Sequence, residues 1–552
     1  MRLAILAIAA ALTAAGQSFH VAGIVVDAQG GSPVNRAHLI LSTSRTDERY
    51  AVTGEDGRFS FDVPKGKYGL IAERRGSRQT FGATGPSSTF GSAIITGPDQ
   101  DTGHLVFRWH TPGAIFGRVV DDRGEAVENA TVQLIRESIS VGKKRVAAFT
   151  YTRTDDLGNY RIGPLGGGTY YLVATAEPWY VKQLSMFANV RRNNDPNQPT
   201  PPEPAYAPSY YQNVTDPRSA APLILNPGAE AQVDFTLRTV TGANVHPVCL
   251  NANPEPAQPS PLPNNRPNFG VSPVPIPPNR CQGTVNLYLH GIGDVETVFA
   301  ATYSPLTGAI SGVPPGRYSV RYSGNGGAMR KIVDISGGDV TVDLAALPQP
   351  SVSGTVAFKN PGTKPRATMY VRLVNDATGA AIARAIEPDG SFSWKSVAPG
   401  TYRPQITGTD GFYISNLVAR GANSNQGVID LIDGASVQLQ LVASDETGRL
   451  KGFVMNGDKP VPEALVVLAP RAGSTDPYDY RGFQTELDGS FDFLNLRAGD
   501  YVLFAVERAD LEYANPEAVK PYVNAGKPFR VEPHGVYAEN VTVTPFVNPI
   551  RQ

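Results

Sequence analysis

Histidine and cysteine are scarce in this 552-residue chain, with seven of the first and two of the second. The histidines are His20, His38, His104, His110, His246, His290 and His534. None stands at helical or hairpin metal spacing, and neither H-x-x-E nor H-E-x-x-H occurs, so zinc-peptidase chemistry lacks its ligands. A G-x-S-x-G nucleophile elbow is missing, and no P-loop or G-x-G-x-x-G opens a helix. Neither sign of charge is in excess: 49 Lys+Arg face 50 Asp+Glu, for a formal net charge of -1. That leaves no basic footprint for nucleic acid and no block of like charge for a solvated tail. After Leu12 no long uncharged apolar run occurs, so the mature chain has no expected membrane helix. Amphipathic helices are nearly absent.

Glycine, at 56 residues, and proline, at 47, are abundant, and 41% of the chain is hydrophobic. Such a composition suits many short strands joined by tight turns. At roughly 100–150 residues per domain, the length corresponds to about four or five domains. Met1-Arg2, the apolar run from Leu3 to Leu12 and the small residues Ala14-Ala15-Gly16 read as a secretory signal peptide over residues 1–16. It holds no cysteine for a lipid anchor. In an exported chain the isolated pair Cys249 and Cys281 reads as a disulfide. The stretch 251–279 between them contains ten prolines and should be an extended, partly polyproline II loop.

One unit recurs along the chain. Asp56-Gly57-Arg58-Phe59-Ser60-Phe61, with Val63 and Gly66-Lys67-Tyr68, is the first copy. The others are Gly158-Asn159-Tyr160 with Leu165 and Gly168-Thr169-Tyr170, then Gly308-Ala309-Ile310 with Val313 and Gly316-Arg317-Tyr318. Gly390-Ser391-Phe392 with Val397 and Gly400-Thr401-Tyr402, and Gly489-Ser490-Phe491 with Leu496 and Gly499-Asp500-Tyr501, complete the set. The first Gly permits a positive φ in a tight turn. The aromatic begins a strand whose alternate residues, such as Phe59, Phe61 and Val63, face a core. The second Gly makes another turn and the Tyr begins the next strand. Upstream, Pro33-Val34-Asn35-Arg36-Ala37, Ala126-Val127-Glu128-Asn129-Ala130 and Pro460-Val461-Pro462-Glu463-Ala464 precede apolar strands. Short alternating strands at regular spacing read as sandwiches.

This order of strand, P-V-x-x-A-x-V-x-L and D-G-x-F-x-F-x-x-V-x-x-G-x-Y resembles the carboxypeptidase regulatory-like domain. It is similar to the Cna B-type, transthyretin-like and starch-binding-like sandwiches. The resemblance implies an all-β chain, a tandem array of about five prealbumin-like (Ig-like) seven-stranded β-sandwiches. The expected boundaries are 18–112, 113–239, 240–348, 349–444 and 445–548. The second copy carries an insertion over 178–222, followed by Leu223-Ile224-Leu225 and Val233 to Leu237 as a final pair of strands. Short junctions, Thr111-Pro112-Gly113 and Leu347-Pro348-Gln349-Pro350, predict a semi-rigid rod.

The resemblance lends no catalytic chemistry, and neither a cofactor nor a metal is expected. Asp121-Asp122-Arg123-Gly124 and Asp155-Asp156-Leu157-Gly158 read as turn acids, since neither continues into a calcium loop with its distal Glu. Trp179, Tyr180, Tyr206, Tyr210 and Tyr211 in the insertion form the candidate ligand surface. Flat rings among amides suit stacking on sugars; the competing reading is that they pin the loop to the sandwich. Some Cna B-type domains carry a Lys–Asn isopeptide bond. Here Lys451, Asn540 and Glu507 would be its members, but Glu507 lies six residues after Tyr501 where the family places four, so no bond is expected. The resulting expectation is a monomeric, non-catalytic scaffold, secreted or periplasmic and bacterial, that presents loops to a protein or polysaccharide. The alternatives are a carbohydrate-binding array, or an accessory subunit of an exported hydrolase or transporter.

Overall fold

The computed structural model describes residues 17–546 apart from 45, 84–89, 182–202, 250–280, 282, 300, 302, 305–307, 325–326, 345–348, 361, 364, 367, 409–410 and 508–509. The expected signal peptide, the middle of the 178–222 insertion and the expected proline loop 251–279 therefore lie outside the described residues.

Each copy of the motif builds the same piece of sheet. The strand after the first glycine pairs antiparallel with an earlier strand. Arg58–Val63 pairs with Phe19–Asp27, Asn159–Leu165 with Gly113–Asp121, and Ile310–Val313 with Ala243–Val248. Ser391–Trp394 pairs with Ser351–Phe358, and Ser490–Arg497 with Thr447–Asn456. The other side of that early strand takes a late strand in parallel, such as Leu105–Trp109 or Ser436–Ser444. A second sheet centres on pairs such as His38–Ser44 with Gly66–Arg74, or Leu465–Pro470 with Gly499–Val506. The two sheets close over alternate residues: Phe59, Phe61 and Val63 point in, while Arg58, Ser60 and Asp62 point out. Successive buried clusters run from Val21 to Trp109, Ile115 to Leu237, Ala243 to Leu344, Val352 to Ala443 and Leu450 to Val541. The chain is all-β, a tandem run of β-sandwiches, and these clusters mark the units numbered here first to fifth.

The repeated residues have definite jobs. Gly57, Gly158, Gly308, Gly390 and Gly489 all hold φ between 69° and 85°, the left-handed turn that glycine adopts without strain. A different glycine, Gly23, Gly117, Gly354 or Gly452, lets the parallel late strand come close. A Cβ there would sit 2.1, 1.9, 2.3 or 1.7 Å from the facing carbonyl oxygen. The tyrosine after the second glycine folds its hydroxyl back onto the carbonyl four residues upstream. Tyr68 donates to Pro64, Tyr170 to Gly166, Tyr318 to Pro314 and Tyr501 to Arg497, at 2.7–3.1 Å. In P-V-x-x-A a buried threonine hydroxyl clamps the bend. Thr53 donates to Val34 O and accepts from Ala37 N, and Thr154 and Thr485 do the same at Val127/Ala130 and Val461/Ala464.

One expectation needs correction. The units do not form a rod, because the fifth folds back onto the first and second. Ser92 Oγ donates to Thr485 O at 2.8 Å, Gln484 Nε2 to Gly82 O at 2.6 Å, and Lys67 Nζ meets Glu486 Oε1 at 2.5 Å. Ala514 N donates to Gly142 O at 2.9 Å. Short linkers limit the reach of neighbours but do not set their angle, and side-chain contacts decide that here. Leu223–Leu225 and Phe235–Leu237 are both strands. The former joins Gly168–Thr175 and the latter Gly113–Asp121, on opposite sheets. A helix, Pro516–Ala525, covers the fifth unit. Asn515 caps it by accepting from Glu517 N, and Pro516 opens it.

Candidate functional site

The aromatic residues of the second unit separate into two groups. Tyr206 and Tyr210 are 2% and 1% exposed, so neither offers a ring face to a sugar. Burial, and then Asp121, pushes the Tyr206 phenol up, and its hydroxyl reaches Asp121 Oδ2 at 3.4 Å. Tyr211 is half-buried against the same core. These three side chains pin the insertion because they complete apolar surfaces that would otherwise face water. Trp179, by contrast, is 59% exposed and stands edge-on to half-buried Tyr180 at 5.8 Å. Only this pair retains the geometry of a stacking surface.

The remaining sequence candidates divide similarly. Cys249 and Cys281 are joined by a disulfide, both buried in the third unit's core. Lys451 and Glu507 are exposed, while Asn540 accepts a hydrogen bond from Phe453 N at 3.0 Å. That amide caps the strand. Asp121 and Asp155 behave as turn acids. Asp121 Oδ1 accepts from Arg123 N and Glu125 N, and Asp155 Oδ1 from Leu157 N and Asn159 N.

A polar set that the sequence did not advertise lies on the outer face of the third unit. His290 Nδ1 meets Asp294 Oδ1 at 2.6 Å, and its Nε2 meets Ser319 Oγ at 2.7 Å. The order Asp–His–Ser is that of a nucleophile and its base. Ser319, however, is fully buried. Its hydroxyl also donates to Glu296 Oε1 at 2.7 Å and accepts from Arg330 Nε at 3.1 Å. Arg321 and Arg330 both pair with Glu296. Burial pushes the Glu296 carboxyl up, but the hydrogen bonds from His290 and Ser319 and the two guanidinium charges hold it at about 2. The hydrogen bond to Glu296 raises the His290 pKa against burial, with help from Asp294. A saturated hydroxyl without access is a poor nucleophile, so the set works as a charged brace. It stiffens the turn 291–295, whose Ile292 and Val295 dock on Ile135, Val173 and Tyr210 of the second unit. The signal was present as alternating polar residues on two paired strands, but pairing Tyr288 with Ser319 requires the register.

Residues 20–85 and 114–190 match the family model of the carboxypeptidase regulatory-like domain. No curated protein matches the chain. Among solved structures, the TIE protein of Bacillus anthracis is similar at 10% identity and a TM-score of 0.16, covering 95% of this chain and 74% of that one. A minor pilin of Streptococcus agalactiae gives 12% identity and a TM-score of 0.21, covering 40% of this chain and 96% of that one. A streptococcal ancillary pilin gives 10% and 0.16, covering 60% and 100%. At these TM-scores the likeness carries no argument about function.

Proposed function

We propose that this chain is a non-catalytic scaffold of the cell envelope or exterior, displaying outer sheet faces to a protein or polymer partner. The observation that carries the reading is the docking of the fifth unit on the first. Glu486, with its side chain only 8% exposed, accepts from Lys67 Nζ and from Ala93 N, and Leu487 packs against the first unit's core. A buried carboxylate matched by an ammonium and a backbone N–H fixes orientation, because breaking it strands a charge. Units held this way present their remaining faces in constant relation, which suits display. The catalytic-looking Asp294–His290–Ser319 order belongs to the same pattern, as a brace beneath an interface.

The test pairs turnover with binding. Wild type, S319A and H290A are assayed on ester, peptide and glycoside substrates, and for saturable binding to isolated cell-envelope material. Saturable binding without turnover is expected. Turnover that S319A and H290A abolish would contradict the proposal.

A further inference from the structure

The outer face of the first unit's second sheet is uncovered at one end, and that end is strongly basic. Directly opposed residues cross four strands as Val52, His38, Glu73 and Arg78. The neighbouring row is Tyr50, Ile40, Ile71 and Thr80, about 7 Å further along the strands. Tyr50 is 67% exposed. At the His38 end, the Asn35-Arg36 bend and the hairpin turn at Arg75-Gly76 enclose an open cleft of about 700 Å³. Four arginines, Arg36, Arg74, Arg75 and Arg78, line it with a single carboxylate, Glu73.

Two of these arginines have structural duties. Arg74 donates to Asn35 O and Oδ1 at 2.9 and 3.1 Å, and Arg78 pairs with Glu73 at 3.3 Å. Arg36 and Arg75 meet no carboxylate among the described residues. Both hold positive φ, 52° and 47°, a conformation that disfavours long side chains. The equivalents of Arg36 in the second and fifth units are Asn129 and Glu463, with φ of 58° and 61°. The fold therefore accepts an amide or an acid at this bend, and the guanidinium answers to something else.

We propose that this face binds an acidic polysaccharide, with Arg36 and Arg75 on its carboxylate or sulfate groups and a sugar ring laid on Tyr50. The proposal deepens the scaffold reading and rests on it. A guanidinium presents a planar fork that matches a carboxylate or sulfate through two parallel hydrogen bonds. The cleft is open and its lining is polar side chains, so it suits a hydrated, extended chain and offers no wall to an apolar peptide. An exposed phenol ring on a flat sheet gives the apolar face of a sugar its complement. The positive charge is local, since the whole chain carries a formal net charge of -1.

The experiment passes the mature full-length chain over immobilised polygalacturonate, heparin and neutral dextran, with inorganic phosphate and a single-stranded oligodeoxynucleotide as competitors. Retention on an acidic glycan and none on dextran is expected. The double variant Arg36→Asn/Arg75→Asn keeps residues that tolerate positive φ, and should weaken retention about tenfold with an unchanged melting temperature. Tyr50→Ala should weaken it about threefold. The proposal is overturned by no retention, by equal retention of the variants, or by displacement with phosphate or the oligonucleotide at matched charge. Any of these leaves the scaffold reading intact, because that reading falls on Ser319-dependent turnover instead.

Discussion

The first and fifth units share one repeat and treat its outer face in opposite ways. In the fifth, Leu465, Val467 and Ala469 point away from the sandwich core, yet all are fully buried. Tyr513, Val519, Tyr522 and Leu511 cover them, with Tyr522 stacked on Phe504 at 5.4 Å. In the first, the corresponding face carries His38, Ile40, Tyr50 and Val52 and stays partly or wholly exposed. The third unit takes another course and fills its outer face with the His290–Glu296 brace. The repeat supplies a core, and the outer faces distinguish the units.

Tyr522→Ala removes a 2% exposed ring from the fifth unit's cover and should cost about 3–5 kcal/mol by denaturant unfolding. Glu296→Gln in the third unit should cost about 3 kcal/mol, because Arg321 and Arg330 lose their shared counter-charge. That brace also carries a pH signature. Glu296 sits at about 2, so its contribution is complete above the ordinary carboxylate range and lost as pH falls toward 2. The His290 pKa is raised, so its contribution is complete below the ordinary imidazole range and lost as pH rises through the raised value. The third unit should therefore be most stable between about pH 4.5 and 6.5, read by hydrogen exchange of strand Gly316–Gly324; a flat profile there would remove the brace from the account. Glu486→Ala should cost about 2 kcal/mol and speed exchange at residues 90–93. Tyr50→Ala, the outer-face counterpart of the first substitution, should shift stability by less than about 0.5 kcal/mol. Equal costs at Tyr522 and Tyr50 would erase the distinction between covered and open faces.

The repeat was legible in the sequence because its determinants are local. A glycine at positive φ, an alternating strand and a tyrosine two residues after a glycine act within about a dozen positions. The threonine clamp went unread, although a threonine stands four residues before Gly57, Gly158 and Gly489, because its role appears only when the bend it bonds is seen. The outer faces were not legible, since Lys67 and its partner Glu486 lie 419 residues apart. The same distance effect left two readings of the aromatic residues open, packing and ligand contact. Tyr210 stands in a proline-rich segment that admits either, and the partner that buries it, Gly291 of the next unit, lies against its hydroxyl. The rod expectation failed for this reason: linker length constrains neighbours alone. The Asn-Pro-Glu start of helix Pro516–Ala525 was a readable cap, hidden among residues otherwise patterned for strands.

The fifth unit closes against the first and leaves the basic end of the first unit's sheet open. A zero-length carbodiimide cross-link, mapped by mass spectrometry on the monomer fraction, tests this closure most directly. The Lys67 ammonium and Glu486 carboxylate stand 2.5 Å apart, so a peptide pair joining them should form within one chain and vanish in Glu486→Gln. If monomers lack that pair while other cross-links form normally, the closed arrangement is wrong.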